Sequence, residues 1–442
     1  MYLLYSFLLA CWLALSAPLW IWERVRHGKH QGLRQRLGAV PERLQSGAGK
    51  VIWVHAVSVG EVLAIAALVE EMKKRYAGCR VVVSTVTDTG QQLARQRFGA
   101  ENVFYFPADF GFAIRKYVRT LRPAAVVVAE TEFWPNFLRV AKTSGARIAV
   151  VNARISDRSF PGYRRVRALL KHVLENVDVI LAQSEADKER LVAIGARGER
   201  VRVSGNLKFD LAPQATPALL GRIRKALDAG NAGPLLVCGS TMEGEELLLV
   251  DAFRQVLAKY GDAVMVLAPR HPERFSQIAK LLENSRVKFW TRSQWKDEPL
   301  TGGIFLLDSI GELAAMYQLA DIAFVGGSLV PRGGHNILEP ARAGVATLVG
   351  PYTENFRDVV NLFVRGNAVR VITKDSVAGA FLELLQDEKE RRDLGRRAGE
   401  VFASNSGARQ RTMAALDELL GAKGVAPEIG REAAPAASSR RI

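Results

Sequence analysis

A chain of 442 residues exceeds what one hydrophobic core usually serves, and its 48% hydrophobic and 24% charged content excludes a disordered, collagenous or polytopic membrane protein. With 61 Lys and Arg against 45 Asp and Glu, the formal charge of +16 favours nucleic acid, an anionic membrane surface or a phosphorylated substrate as partner. Cys11, Cys79 and Cys238 lie far apart without CxxC or Cys/His spacing, so neither a disulfide nor a zinc site is expected.

From Tyr2 to Trp22 no residue is charged, and a helix of that length covers roughly 30 Å, the thickness of a hydrocarbon core. Trp20 and Trp22 close the run, and Arg24, Arg26, Lys29, Arg34 and Arg36 follow it, as in an aromatic belt with a positive-inside flank. In a cleaved signal peptide the charges would precede the apolar run. Residues 1–24 therefore read as an uncleaved N-terminal membrane-anchor helix, spanning the bilayer or, with Pro18 bending it, lying in the interface. The remainder is expected on the cytoplasmic face.

Beyond the basic flank, apolar runs at 51–57, 80–86, 102–107, 124–130, 147–153 and 178–184 alternate with amphipathic stretches such as 62–76 and 89–98. Near-continuous apolar runs are the mark of parallel strands covered on both faces, and their alternation with helices predicts right-handed βαβ units. Pro, Gly and small residues interrupt the rhythm over 211–233, after which strands are expected at 234–240, 263–270, 304–308, 321–327 and 345–350. The predicted fold class is α/β, GT-B: two Rossmann-like doubly wound domains facing a cleft, at 25–212 and 213–423, with a disordered tail over 424–442. Ligands of such sheets bind beyond the carboxyl ends of the strands, which directs attention to the strand-to-helix loops.

The first of these is HAVSVGE, His55–Glu61, where Glu61 enters the first helical turn. A carboxylate there is favoured by the helix dipole, and it is equally placed to act as a general base towards an acceptor hydroxyl. In AETEFWPN, Ala129–Asn136, Glu130 and Glu132 follow a strand and share one face of an extended segment; Pro135 and Trp134 are also consistent with a plain helix entry. SGNLKFD closes the first domain, with Lys208 either reaching the charges of a donor or solvated.

In the second half, APRHPERF sets Pro269, Arg270 and His271 at a strand end, with Arg270 either holding a phosphate or solvated and a lone His271 more often structural than catalytic. In DSIGELAAMY a helix is expected from Asp308, offering free amides at Ile310, Gly311 and Glu312 to a nucleotide or forming a plain capped helix. The most informative segment is FVGGSLVPRGGHNILEP: Gly326, Gly327 and Ser328 let amides approach a phosphate, and Gly333, Gly334, His335 and Asn336 lead through Ile337 and Leu338 to Glu339, a candidate for ribose hydroxyls.

HAVSVGE, AETEFWPN, SGNLKFD, APRHPERF, FVGGSLVPRGGHN and the single apolar N-terminus, in this order, resemble the 3-deoxy-D-manno-octulosonic acid (Kdo) transferases of Gram-negative bacteria, from the anchor to about residue 415. The resemblance implies an inner-membrane enzyme of the cytoplasmic face that moves Kdo from CMP-Kdo to the tetraacylated, bisphosphorylated lipid A precursor (lipid IVA), with inversion, no cofactor and no essential metal. It also implies that Glu61 matches the family's proposed base and that Glu130 and Glu132 lie in its acidic segment. Pro269 and Arg270, Ile310 to Glu312, and Asn336 to Glu339 then fall on its CMP-contacting segments. Ile337 departs from the family's proline.

The basic charge suits a bisphosphorylated lipid in an anionic leaflet better than nucleic acid, for which the sequence holds no motif. Arg154, Arg164, Arg165 and Arg167, within 154–171, are the candidate acceptor-docking residues, with solvated helix faces as the plainer reading. Two rival functions remain open at this level. One is a membrane-bound GT-B transferase using a UDP-sugar; the other is a lipid-binding protein that kept the fold without the chemistry.

Overall fold

The computed structural model describes residues 1–27, 32–45, 49–210 and 218–421. The tail expected over 424–442, the boundary residues 211–217, Lys29 and the side chains of Trp20, Trp22, Arg24 and Arg26 lie outside the described residues. The chain divides into two compact units, Met1–Asp210 with Ser406–Ile442, and Leu211–Asn405.

The first unit is built on a seven-stranded parallel sheet of β1 (Lys50–His55), β2 (Cys79–Thr85), β3 (Val103–Tyr105), β4 (Pro123–Ala129), β5 (Arg147–Ala153), β6 (Val179–Ala182) and β7 (Val201–Val203). Its order is β3-β2-β1-β4-β5-β6-β7. Successive side chains take opposite faces. Thus Trp53, Val126, Val128 and Val150 join one core with Phe104, Tyr117 and Phe137, while Ile52, Val54, Val127 and Val151 join the other with Ile65, Val69 and Met72 of the helix Val59–Arg75. Both faces are dry, which explains why these strands read as apolar throughout.

The second unit holds β8 (Leu235–Thr241), β9 (Val264–Pro269), β10 (Phe289–Thr291), β11 (Gly303–Leu306), β12 (Ile322–Val325), β13 (Ala346–Val349) and β14 (Arg370–Val371). All pairings are parallel and the order is β10-β11-β9-β8-β12-β13-β14. In each sheet the central strand is flanked by connections that run in opposite directions, between β1 and β4 and between β8 and β12. Such a switch point leaves a crevice at the carboxyl ends.

Three expectations need correction. The second domain does not run to 423: the helix Ala408–Gly421 returns to the first unit, where Ala408, Met413, Leu416 and Leu420 are buried against its sheet. The Asp210 carboxylate fastens the return by accepting the backbone N–H groups of Gly407 (2.7 Å) and Arg409. The edge strands β7, β10 and β14 were not expected; they have two or three residues and expose Arg202 and Val371, too little pattern for a period of two to register. Finally, residues Tyr2–His27 do form one helix, but among the described residues no helix is long and apolar enough to cross a membrane. A spanning anchor over 1–24 is therefore not supported.

That helix instead lies with one side on the first unit. Leu3, Leu4, Phe7, Leu8, Trp12 and Leu15 are exposed, whereas Tyr2, Tyr5, Ser6, Leu9, Leu13 and Ser16 are half-buried. The half-buried positions recur every three or four residues, the spacing of a single helical face.

Candidate functional site

In the first unit, β1 ends at His55 and the chain turns through Ser58, whose extended backbone precedes the helix Val59–Arg75. Glu61 sits in the first turn, 8% exposed, and folds back on the turn: Oε2 accepts the Val57 N–H (2.8 Å) and Oε1 the Ser58 hydroxyl (2.9 Å). Burial pushes its carboxyl up to about 7, Glu132 and Glu130 add to the rise, and the Val57 and Ser58 bonds oppose it. A carboxyl poised there takes a proton from an alcohol far more readily than one at the usual carboxylate value.

On the neighbouring strand β4, Glu130 follows Ala129 with φ +54, a left-handed conformation that costs a non-glycine residue about 1–3 kcal/mol. Its N–H is held by the Val151 carbonyl (2.9 Å), so the ladder with β5 continues through the kink and throws the next residues out of the sheet. Glu132 lies in that excursion. Burial raises its carboxyl to about 7, with Glu130 adding to the shift. Thr131 Oγ1 donates to the Arg154 carbonyl (3.1 Å), drawing the backbone of Arg154 to the same loop. Glu61, Glu130 and Glu132 are thus gathered beyond β1 and β4 at the switch point of the first sheet. Arg164, Arg165 and Arg167 are exposed on the helices Phe160–Arg165 and Arg167–Leu174, beside exposed Val166 and Leu169. Lys208 also belongs to the first unit, half-buried in the turn Leu207–Phe209, where Asn206 Oδ1 caps its N–H (3.0 Å).

In the second unit, Pro269 ends β9 and the Arg270 N–H is held by the Thr241 carbonyl (3.0 Å), leaving the Arg270 side chain exposed. His271 Nδ1 lies 3.7 Å from Glu273. Asn336 Oδ1 accepts the Leu338 N–H (3.1 Å), fixing the turn that leads through Ile337 into the short helix Leu338–Arg342, which carries Glu339. Burial raises the Glu339 carboxyl, and Arg342, Asn336 and Arg270 oppose the rise. Burial, reinforced by Arg270 and His271, lowers His335 to about 4, so its ring is neutral and its buried Nε2 has no protein partner. The fold therefore brings Arg270, His271, His335, Asn336 and Glu339 into one electrostatic neighbourhood.

Two expectations fare differently. Gly326, Gly327 and Ser328 do not present open amides. The Gly326 N–H bonds to Gly239 (2.8 Å), and the wholly buried Glu245 accepts the N–H groups of Gly327 (2.7 Å), Ser328 (3.0 Å) and Leu329 (2.9 Å), together with Met242 (2.9 Å). Gly326 is required for close approach: a β-carbon there would stand 2.5 Å from Ser240 O and 2.8 Å from Glu245 Oε2. The Gly334 N–H then bonds to the Gly327 carbonyl (2.8 Å), so the Glu245 clasp holds the loop on which His335 and Asn336 sit. The only sequence signal for this was the carboxylate run of TMEGEE after β8.

The helix expected from Asp308 starts instead at Leu313 and has four residues. Asp308 is drawn away to the Ser293 N–H (2.8 Å), and Glu312 is held by Arg292 (3.2 Å) and the Ser309 hydroxyl. Ile310 is consequently left 69% exposed in a bend, with Gly311 at φ +90. Among the described residues no group of three or more His, Cys, Asp or Glu could hold a metal ion.

Residues 31–211 match the family described as 3-deoxy-D-manno-octulosonic-acid transferase (kdotransferase), and residues 247–401 match glycosyl transferases group 1. A 3-deoxy-D-manno-octulosonic acid transferase of Haemophilus influenzae is 34% identical over 374 residues, 84% of this chain and 87% of that protein. The solved C-terminal CMP-Kdo binding domain of WaaA from Acinetobacter baumannii is 32% identical, with a TM-score of 0.38, over 41% of this chain and 98% of that domain. Anabaena HepE in complex with UDP shares the fold at 12% identity, with a TM-score of 0.50, covering 84% of this chain and 100% of that chain.

Proposed function

The chain belongs to the 3-deoxy-D-manno-octulosonic-acid (Kdo) transferase family, and from that premise we propose that it transfers Kdo from CMP-Kdo to lipid IVA, the tetraacylated, bisphosphorylated lipid A precursor, with Glu61 as base. The observation that carries the reading is Glu61 itself, a buried carboxyl raised to about 7 at the end of the central strand, oriented by Val57 and Ser58 and flanked by two further acids. In the proposed step the acceptor hydroxyl gives its proton to Glu61 and its oxygen bonds to the anomeric carbon of Kdo. The bond from that carbon to the phosphate oxygen breaks with its electron pair, releasing CMP, and attack from the opposite face inverts the anomeric centre. Departure of CMP calls for stabilisation of phosphate charge. Arg270 supplies the cation, and Glu339 accepts from the ribose hydroxyls beside the neutral His335.

No cofactor or metal enters this scheme. The acceptor phosphates dock on Arg164, Arg165 and Arg167, with Arg154 at the edge of the acid pocket. The exposed row Leu3, Leu4, Phe7, Leu8, Trp12 and Leu15 lies in the interface of the inner membrane on its cytoplasmic face, where burial of such side chains is favourable without a span. The test is mass spectrometry of lipid IVA after incubation with the enzyme and a panel of donors. A mass gain of Kdo with CMP-Kdo alone supports the reading; transfer from UDP-sugars but not from CMP-Kdo overturns it.

A further inference from the structure

Asp109 takes no part in the scheme above, yet it is among the most enclosed acids of the first unit, 1% exposed. Its two oxygens accept the N–H groups of Asn136 (3.0 Å) and Phe137 (2.7 Å), the first-turn amides of the helix Pro135–Thr143. That helix begins three residues after Glu132, so whatever fixes its first turn also fixes the acidic loop. Tyr5 of the N-terminal helix lies beside the same carboxylate, which adds to the rise that burial gives its phenol, while the phenol draws Asp109 down against burial.

The neighbouring contacts repeat the link. Asn136 Nδ2 donates both to the Asp109 carbonyl (2.6 Å) and to Ser6 Oγ (3.0 Å), and the Arg139 guanidinium lies 4.2 Å over the Tyr2 ring. Asn176 Nδ2 donates to the Tyr2 hydroxyl (3.3 Å). Tyr2, Tyr5 and Ser6 all belong to the half-buried face of the N-terminal helix, and each meets a residue of the helix Pro135–Thr143 or the aspartate that caps it. A tether would need only the exposed apolar row. This face is polar, aromatic and matched residue by residue to the support of the acid pocket.

We propose that Asp109 is a positioning residue for the transfer reaction, and that through Tyr5 and Ser6 it makes the seated N-terminal helix part of the scaffold that holds Glu130 and Glu132 in place. The inference rests on the reading of Glu61, Glu130 and Glu132 as the reacting acids. Its consequence is that turnover depends on the seating of the helix even where no membrane has to be found: an enzyme with the helix lifted keeps its donor affinity and loses chemistry.

The test uses the full chain, with CMP-Kdo and lipid IVA dispersed in detergent, and compares Asp109→Asn with the double change Tyr5→Phe/Ser6→Ala. The double change removes two hydroxyls and leaves the apolar row intact, so it decides the matter if Asp109→Asn fails to fold. A fall in kcat on the order of ten-fold is expected in both, as for a catalytic group displaced by a fraction of an ångström. The KM for CMP-Kdo should hold, as should binding to phosphatidylglycerol/phosphatidylethanolamine vesicles, and Ser6→Thr, which keeps a hydroxyl, should retain the parent rate. An unchanged kcat overturns the proposal. So does a loss of rate seen only on vesicles, accompanied by weaker vesicle binding and recovered in detergent, since the helix is then a tether alone. Glu61→Gln is run in parallel: full activity in that variant refutes the catalytic reading itself, a result separate from either outcome above.

Discussion

Glu245, Glu246 and Glu312 of the second unit are held differently from Glu61 and Glu132 of the first. In the second, Glu245 is clasped by four backbone amides, Glu246 by Arg274 (2.6 Å) and Thr241 (3.0 Å), and Glu312 by Arg292. In the first, no cation is among the charges that shift Glu61 or Glu132, and both rise to about 7. The Glu245 clasp fixes the loop that leads to His335 and Asn336. Acids that are buried beside one another, with few partners, can exchange a proton near neutral pH. In the proposed function the second unit binds the donor and the acids of the first carry the reaction.

The largest effect expected from this contrast is that of Glu61→Gln, which removes the proton acceptor while keeping its shape. Turnover should fall by about 100- to 10,000-fold, with CMP affinity, read by calorimetry, unchanged. A rate within a few-fold of the parent breaks the contrast. Arg270→Ala should do the reverse, raising the donor KM by roughly 10- to 100-fold through loss of a charge-assisted contact; a change confined to kcat would place Arg270 with the reacting groups instead.

Stability sharpens the same comparison. Since the folded carboxyl of Glu61 sits near 7 against an ordinary 4.5, the folded state binds the extra proton between those values. Its contribution to stability is present below pH 4.5 and lost as pH rises through 7. Glu61→Gln should therefore raise the melting temperature at pH 8, by roughly 2–8 °C, with the gain shrinking towards pH 4.5. A variant that melts lower than the parent at pH 8 contradicts the picture of an acid held at a cost. The smallest effect is expected from Asp210→Asn, which weakens the cap on the returning helix by about 0.5–2 kcal/mol; denaturant melts should show it without altered donor binding.

Much of this was legible in the chain because parallel strands covered on both faces cannot hide: VIWV, VVV and AAVVVA have no polar interruption, and the loops after them fell at strand ends as expected. What escaped detection was either short or distant. Strands of two or three residues carry no period. The helix Ala408–Gly421 is amphipathic in sequence, yet nothing local says which of two sheets it covers. The Glu245 clasp joins residues more than eighty positions apart, so a glycine pair that looked like a phosphate cradle is filled by the protein's own carboxylate. At the N-terminus a run of apolar residues concealed a polar face, because Tyr2, Tyr5 and Ser6 count as uncharged and only their three-dimensional partners show which way they turn.

The central claim, that a buried carboxyl tuned by its neighbours accepts the acceptor's proton, is tested most directly by the pH dependence of the single-turnover rate at saturating CMP-Kdo. The parent should show a limb near pH 7 that rises with pH, and Glu132→Gln, by removing a like charge, should move that limb to lower pH. A rate independent of pH from 5 to 9, or a limb that stays in place when Glu132 is neutralised, contradicts the account.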